Sequence, residues 1–91
     1  MIKKIDECYL TSLNKLASNF NLKITNEDLK KENEYYVGYF DNEKLIAFIN
    51  YSIYYERAEI NYIFVIEEFR KKSIATKLLN YMITGNSKLE I

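Results

Sequence analysis

The spacing of apolar positions changes several times along the chain, and each change predicts a new element. From Asp6, a residue type that caps helix amino ends, Tyr9, Leu13, Leu16, Ala17 and Phe20 recur at intervals of three and four, the repeat of one buried helical stripe. The short segment Ile2 to Ile5 before it predicts an edge strand. Thr25 followed three residues later by Asp28 is a capping box, predicting a shorter, more polar helix that fades by about Asn33.

At Tyr35 the pattern turns to β-branched and aromatic residues. Tyr35 to Phe40 and Leu45 to Tyr55 predict an antiparallel pair, because Asp41-Asn42-Glu43-Lys44 between them is turn chemistry. A third strand is predicted over Ala58 to Ile66, apolar enough on both faces for a central strand covered on two sides, with Glu59 and Asn61 as the polar exceptions. Lys72 to Thr84 returns to helical spacing, with Ile74, Ala75, Leu78, Leu79, Met82 and Ile83 on one face and Gly85 as a natural carboxyl-end cap. Lys88 to Ile91 reads as the start of a further strand, whose pairing after a helical crossover would be parallel and right-handed. The expectation is one α+β domain over residues 1–91, ordered β-α-α-β-β-β-α-β, with a mixed, mostly antiparallel sheet flanked by helices.

Composition narrows the chemistry. The 91 residues suit one small domain, and thirteen basic residues balance thirteen acidic ones, so no whole-molecule field draws the chain to nucleic acid or an anionic membrane. There is no histidine and a single cysteine, Cys8, expected as buried packing. No His–Cys zinc site, Ser–His–Asp triad or Cys–His nucleophile can be assembled, and no metal is expected. With no signal peptide and no apolar run approaching about 20 residues, the expected location is the cytoplasm, without a membrane partner. Carboxylates, lysines, tyrosines and backbone amides remain, enough for a reaction that needs an activated amine and a bound carrier.

One segment has the order of parts such a reaction needs. The strand ending near Val65 feeds the basic run Arg70-Lys71-Lys72, which opens directly into a helix. The unpaired amides of Ser73, Ile74, Ala75 and Thr76 would converge at the positive end of that helix, a site for a phosphate group, with the three cations beside it. A solvated basic turn before an ordinary helix is the alternative.

Val65 followed by Arg70-Lys71-Lys72-Ser73-Ile74-Ala75 resembles the pyrophosphate-binding signature of the GNAT N-acetyltransferases, in which Arg or Gln, two variable residues, Gly, one variable residue and Gly or Ala follow a valine-ended strand. Thr76-Lys77-Leu78-Leu79 continues it as the family's helix often does, and Arg57 through Leu79 looks most like enzymes that acetylate ribosomal proteins or protein amino termini. The resemblance implies acetyl-CoA as donor and an amine, on a protein or a small molecule, as acceptor. It implies that amides around Lys72 to Thr76 hold the coenzyme A pyrophosphate, while backbone groups of Ile63, Phe64 and Val65 pair with the pantetheine arm as with a surrogate strand. It implies Glu59 as the base that takes a proton from the acceptor ammonium, since an ammonium has no lone pair with which to attack a thioester. A sheet-shielded carboxylate would suit that role, whereas pairing with Arg57 or a neighbouring lysine would be structural only. Asn61, Tyr54 and Tyr62 are candidates for the acceptor groove. Ser73 stands where the family has Gly, and Ile91 falls where the family continues into a further helix and strands that supply acceptor contacts and a thiolate acid.

Other readings stand beside this one. The chain could bind coenzyme A, or only hold the fold, without catalysis, pairing with a second copy along an exposed sheet edge. Ten aromatics between Tyr35 and Phe64 would also suit a single-stranded nucleic-acid binder, against which stand the charge balance and the two leading helices.

Overall fold

A computed structural model describes residues 1–85 of the chain. After strand β1 (Ile2–Lys4), the Asp6 carboxylate accepts from the Cys8 amide at 2.9 Å, and the 3-10 turn so capped runs into helix α1 (Leu10–Ala17). Cys8 is exposed on that turn, not buried. Asn21, in the left-handed region at φ 57°, ends the helical segment. The returning chain is then pinned to α1 by Asn14, whose amide side chain donates to Ile24 O at 2.9 Å and accepts from Ile24 N at 2.7 Å. Both halves of the capping box form at the start of α2 (Asn26–Leu29), which stops after one turn, earlier than its polar sequence predicts.

Strands β2 (Glu34–Asp41), β3 (Lys44–Tyr54) and β4 (Arg57–Val65) follow, and the described sheet has the order β1-β2-β3-β4, antiparallel throughout. Each hairpin closes on two residues with positive φ, Asn42 and Glu43 in one and Tyr55 and Glu56 in the other, the backbone sign that matches strand twist. Gly38 leaves room where β2 passes closest to its neighbours: a Cβ there would lie 2.5 Å from Leu45 Cδ1. Helix α3 (Ile74–Gly85) closes the described chain.

The sheet is packed on both faces. Leu13, Leu16 and Ala17 of α1 sit with Phe48, Tyr36, Phe40 and Leu45 on one face, while Ile74, Leu78 and Met82 of α3 sit with Val37, Ile46, Ile49 and Tyr51 on the other. β3 is buried continuously from Leu45 to Ser52 because it has a strand on either side and a helix on either face. β3 is therefore an inner strand of the described sheet. β4, also expected to be covered on both sides, is the outermost strand among the described residues and is exposed or half-exposed at every position but Ala58. Ile83, expected on the buried face of α3, is 45% exposed, since it lies off the fully buried stripe at 74, 78 and 82. The expected strand at Lys88 to Ile91 and its parallel pairing lie outside the described residues. Among the described residues no helix is long and apolar enough to cross a membrane.

Candidate functional site

The junction of β4 and α3 is built by a short sequence of constrained turns. Ile66 N still bonds Ile46 O at 3.0 Å, then a 3-10 turn over Glu67–Phe69 lifts the chain off the sheet. Lys71 at φ 70° and Ser73 at φ 59° both occupy the left-handed region, the conformation in which a glycine meets no steric penalty. These two residues swing the chain so that α3 begins at once, with Ser73 O accepting from Lys77 N at 3.0 Å. The first amides of α3 have no carbonyl a turn earlier to pair with, and they face a pocket of about 360 Å³ lined by Val65, Phe69, Arg70, Lys71, Ser73, Ile74 and Ala75.

Most of the residues expected at a phosphate site are thus brought to one place. Lys72 and Thr76 do not line the pocket, and the Lys72 ammonium lies 5.1 Å from the centre of the Phe69 ring. Arg70 lines it while turning its Nε back to donate to Val65 O at 2.9 Å, with its guanidinium 5.5 Å from the Phe64 ring centre. Its charge therefore also ties the loop to the end of β4. Phe69, which precedes the motif and was not singled out, forms part of the wall.

On the α1 face, next to β4, lies a polar chain that the sequence reading did not single out. Tyr36 OH donates to Glu34 Oε1 at 3.1 Å, and Asn50 Nδ2 donates to Tyr35 O at 3.0 Å and approaches Glu34 Oε1 at 3.4 Å. Asn61 Nδ2 then bonds Ser52 Oγ at 2.9 Å and Asn50 Oδ1 at 3.3 Å. Asn50, 2% exposed, and Ser52 are buried, so each needs these partners. Asn61 is the extra residue of a bulge, since Asn50 pairs with Tyr62 and Tyr51 with Ile60. Its side chain fixes the place where β4 departs from regular pairing. Burial, and next the Glu34 carboxylate, push the Tyr36 hydroxyl well above the usual phenol range, which keeps it a neutral donor. A signal was available: Asn50 and Ser52 interrupt the most apolar stretch of the chain and require partners.

Glu59 lies on this side of the sheet, opposite Ser52 in register, and is exposed instead of shielded. Among the described residues it pairs with neither Arg57 nor a lysine, and the ion pairs there are those of Lys31 with Asp28 and Glu34. Tyr62 packs its ring 5.0 Å from Phe20, and Tyr54 stands exposed at the end of β3. Ile63 packs with the α3 face, whereas Phe64 faces α1, its ring 6.0 Å from Phe20.

A valine-ended outer strand, two turns of glycine-like backbone and an open helix start over a basic pocket define a class of carrier-binding α+β domain. Residues 2–84 match the Acetyltransferase (GNAT) family, and the chain belongs to that family. Its fold is shared with the ribosomal-protein-alanine N-acetyltransferase from Brucella melitensis biovar Abortus 2308, at 16% identity and TM-score 0.84 over 97% of this chain and 72% of that one. The ribosomal-protein-S18-alanine N-acetyltransferase from Escherichia coli matches at 15% identity and TM-score 0.78, over 97% of this chain and 59% of that one. A paia N-acetyltransferase from Thermoplasma acidophilum, solved in complex with coenzyme A, matches at 17% identity and TM-score 0.82, over 97% and 72%. No curated protein matches the sequence.

Proposed function

We propose that the chain binds acetyl-CoA at the β4–α3 junction and supports transfer of its acetyl group to an amine. One observation carries the reading: Lys71 and Ser73 hold left-handed backbone around the pocket at the start of α3, so the loop keeps the shape of the family's glycine turn without the glycine. The pyrophosphate would sit against the amides of Ser73 to Thr76, with Arg70, Lys71 and Lys72 around it, and the pantetheine arm along the outer edge of β4 at Ile63, Phe64 and Val65. The coenzyme A bound to the Thermoplasma acidophilum neighbour, which shares the fold, supports the choice of carrier.

In the reaction the acceptor ammonium first loses a proton to Glu59, directly or through water. The amine lone pair then attacks the thioester carbonyl, and collapse of the tetrahedral adduct expels the coenzyme thiolate. Exposure gives Glu59 ready exchange with solvent, which suits a base acting through water. The likeness to the two ribosomal-protein-alanine enzymes makes a protein amino terminus the first acceptor to test, a lysine side chain the second. Self-association along the outer edge of β4, next to exposed Tyr54, Tyr55 and Ile60, belongs to the same reading and is read by sedimentation velocity.

Calorimetric titration with acetyl-CoA and with free coenzyme A tests the proposal. Lys71 is exposed and lines the pocket, so Lys71→Glu should weaken both ligands by about tenfold or more at unchanged melting temperature. Absence of binding by the unaltered chain would leave it the role of a structural domain. Glu59→Gln should leave coenzyme binding intact and lower turnover by about 100-fold, within the range of one acid–base group. An unchanged rate would remove Glu59 from the mechanism.

A further inference from the structure

A cavity of about 730 Å³ shares no lining residue with the pocket at the β4–α3 junction. It lies on the α3 face of the sheet, where α3 overhangs β1, β2 and β3. The stripe of α3 at Ile74, Leu78 and Met82 is buried against the sheet, and the next stripe round the helix, Lys77, Tyr81 and Thr84, forms one wall. The floor is aromatic: Tyr35 and Tyr51 stack with ring centres 5.1 Å apart and planes 18° from parallel, beside Ile2 and Val37.

Its charge is one-sided. Among the described residues Lys4 and Lys77 are the charged members of the lining, with no carboxylate in it, although the chain as a whole is neutral. The Lys4 ammonium lies 5.7 Å from the Tyr35 ring centre and the Lys77 ammonium 5.8 Å from that of Tyr39, so both are drawn in over the aromatic surface. The size falls inside the span of small-molecule sites, about 300 to 1,000 Å³, and Asn80, Thr84 and the exposed Tyr81 add a few polar handles.

We infer that this groove is a second ligand site, taking a small amphiphilic anion: a planar aromatic body on the Tyr35–Tyr51 floor and one anionic group between Lys4 and Lys77. The half-buried Tyr35 ring, backed by the buried Tyr51, rewards a flat apolar body by contact, and the two ammonium groups reward one negative charge at the edge of a low-dielectric surface, where the attraction exceeds its value in water. A cationic ring would meet two like charges. A second copy seated through the same groove by a two-fold axis would bring both copies' Lys4 and Lys77 together, which argues against that occupant. The inference does not depend on acetyl transfer, and its test does not use activity.

Three probes with one ring system and different charge decide it: naphthoate, naphthylmethanol and naphthylmethylammonium, each titrated calorimetrically into the full chain at low ionic strength. Naphthoate should bind at a single site at least about tenfold more tightly than the alcohol, and the ammonium compound should not bind detectably. Lys4 and Lys77 are exposed, so Lys4→Glu and Lys77→Glu should each preserve the melting temperature. Each should weaken naphthoate about fivefold or more while leaving the alcohol within about twofold. Amide NMR shifts on adding naphthoate should cluster on Tyr35–Val37 and Lys77–Thr84 and spare Val65–Ala75, and acetyl-CoA should not displace it. Equal binding of acid and alcohol, indifference to both lysine variants, competition by acetyl-CoA, or no binding would each overturn the inference.

Discussion

Ser73 and Lys71 share an unusual feature, left-handed backbone on side chains that have a Cβ, and they carry it two residues apart in the loop proposed to bind a phosphate. Such a conformation costs roughly 1–2 kcal/mol for an ordinary residue, and glycine removes most of that penalty at the expense of a freer unfolded chain. Ser73→Gly is therefore expected to leave thermal stability equal or slightly higher and to tighten coenzyme A binding severalfold by removing a Cβ beside the pocket; weaker binding would instead assign the Ser73 hydroxyl a direct bond to the ligand. Across the sheet, Asn61→Ala would take the shared donor from Asn50 Oδ1 and Ser52 Oγ, both on buried residues. Denaturant unfolding should show a loss of about 1–3 kcal/mol, the desolvation cost of stranded polar groups, against less than half of that for Asn19→Ala on the surface. The basic loop and Ser73 were legible in the sequence because the motif runs contiguously there. The chain from Glu34 to Asn61 was not, because its members are spread over three strands and meet only through the register of β2, β3 and β4.

Elements with strong local signals formed where the sequence placed them. The Asp6 cap, the Thr25–Asp28 box and the stripes of α1 and α3 are set by contacts within a few residues, and each is present. Asp28 also yields a test by pH. The Thr25 amide, and after it Lys31, holds the Asp28 carboxyl below the usual carboxylate range. A group depressed in the folded state stabilises it fully above its unfolded pKa, and that contribution disappears as pH falls through the depressed folded value. Stability should therefore drop in the acid range below about pH 4, and Asp28→Asn should flatten that part of the profile while costing stability at neutral pH. Gly38 tests the opposite constraint, crowding: a methyl group 2.5 Å from Leu45 Cδ1 and 3.0 Å from Ile5 Cγ1 and Phe40 Cε1 must displace core side chains. Gly38→Ala should destabilise the fold by about 1–3 kcal/mol in chemical unfolding. The place of each strand in the sheet is hidden from the sequence for the same reason as the polar chain. β3 and β4 are both apolar enough to be central, and only the pairing decides that β3 has neighbours on both sides. The hairpin at Tyr55 and Glu56 shifted both strand ends by a residue from their predicted places, since neither residue is a usual choice for positive φ and Tyr55 stands fully exposed at the tip.

At the scale of the whole molecule, charge separates folding from binding. With thirteen charges of each sign the long-range field is weak, and the described ion pairs are two contacts of one lysine, Lys31, at 3.0 and 4.0 Å on the surface. Exposed pairs of this kind contribute little, about 0–1 kcal/mol, so the melting temperature should hardly respond to salt. The coenzyme A binding proposed at the β4–α3 junction would rest instead on a local cluster, Arg70, Lys71 and Lys72, beside the start of α3. Between 0.1 and 1 M salt the screening length falls from about 10 Å to about 3 Å, short enough to cut off the outer cations of that cluster from a bound pyrophosphate. Coenzyme A affinity should accordingly fall several-fold over that range, and the fall should shrink in Lys71→Glu. Single-stranded oligonucleotides, which need a basic surface many residues long, should not bind even at low salt, because the aromatics of β2 and β3 are largely turned inward and only Tyr54, with Tyr55 in the hairpin after it, stands well exposed. Melting scans and titrations on the same salt series separate the two effects. A melting temperature that followed the affinity would show that the basic loop belongs to the fold, and that the left-handed turns at Lys71 and Ser73 are held for stability and not for a phosphate.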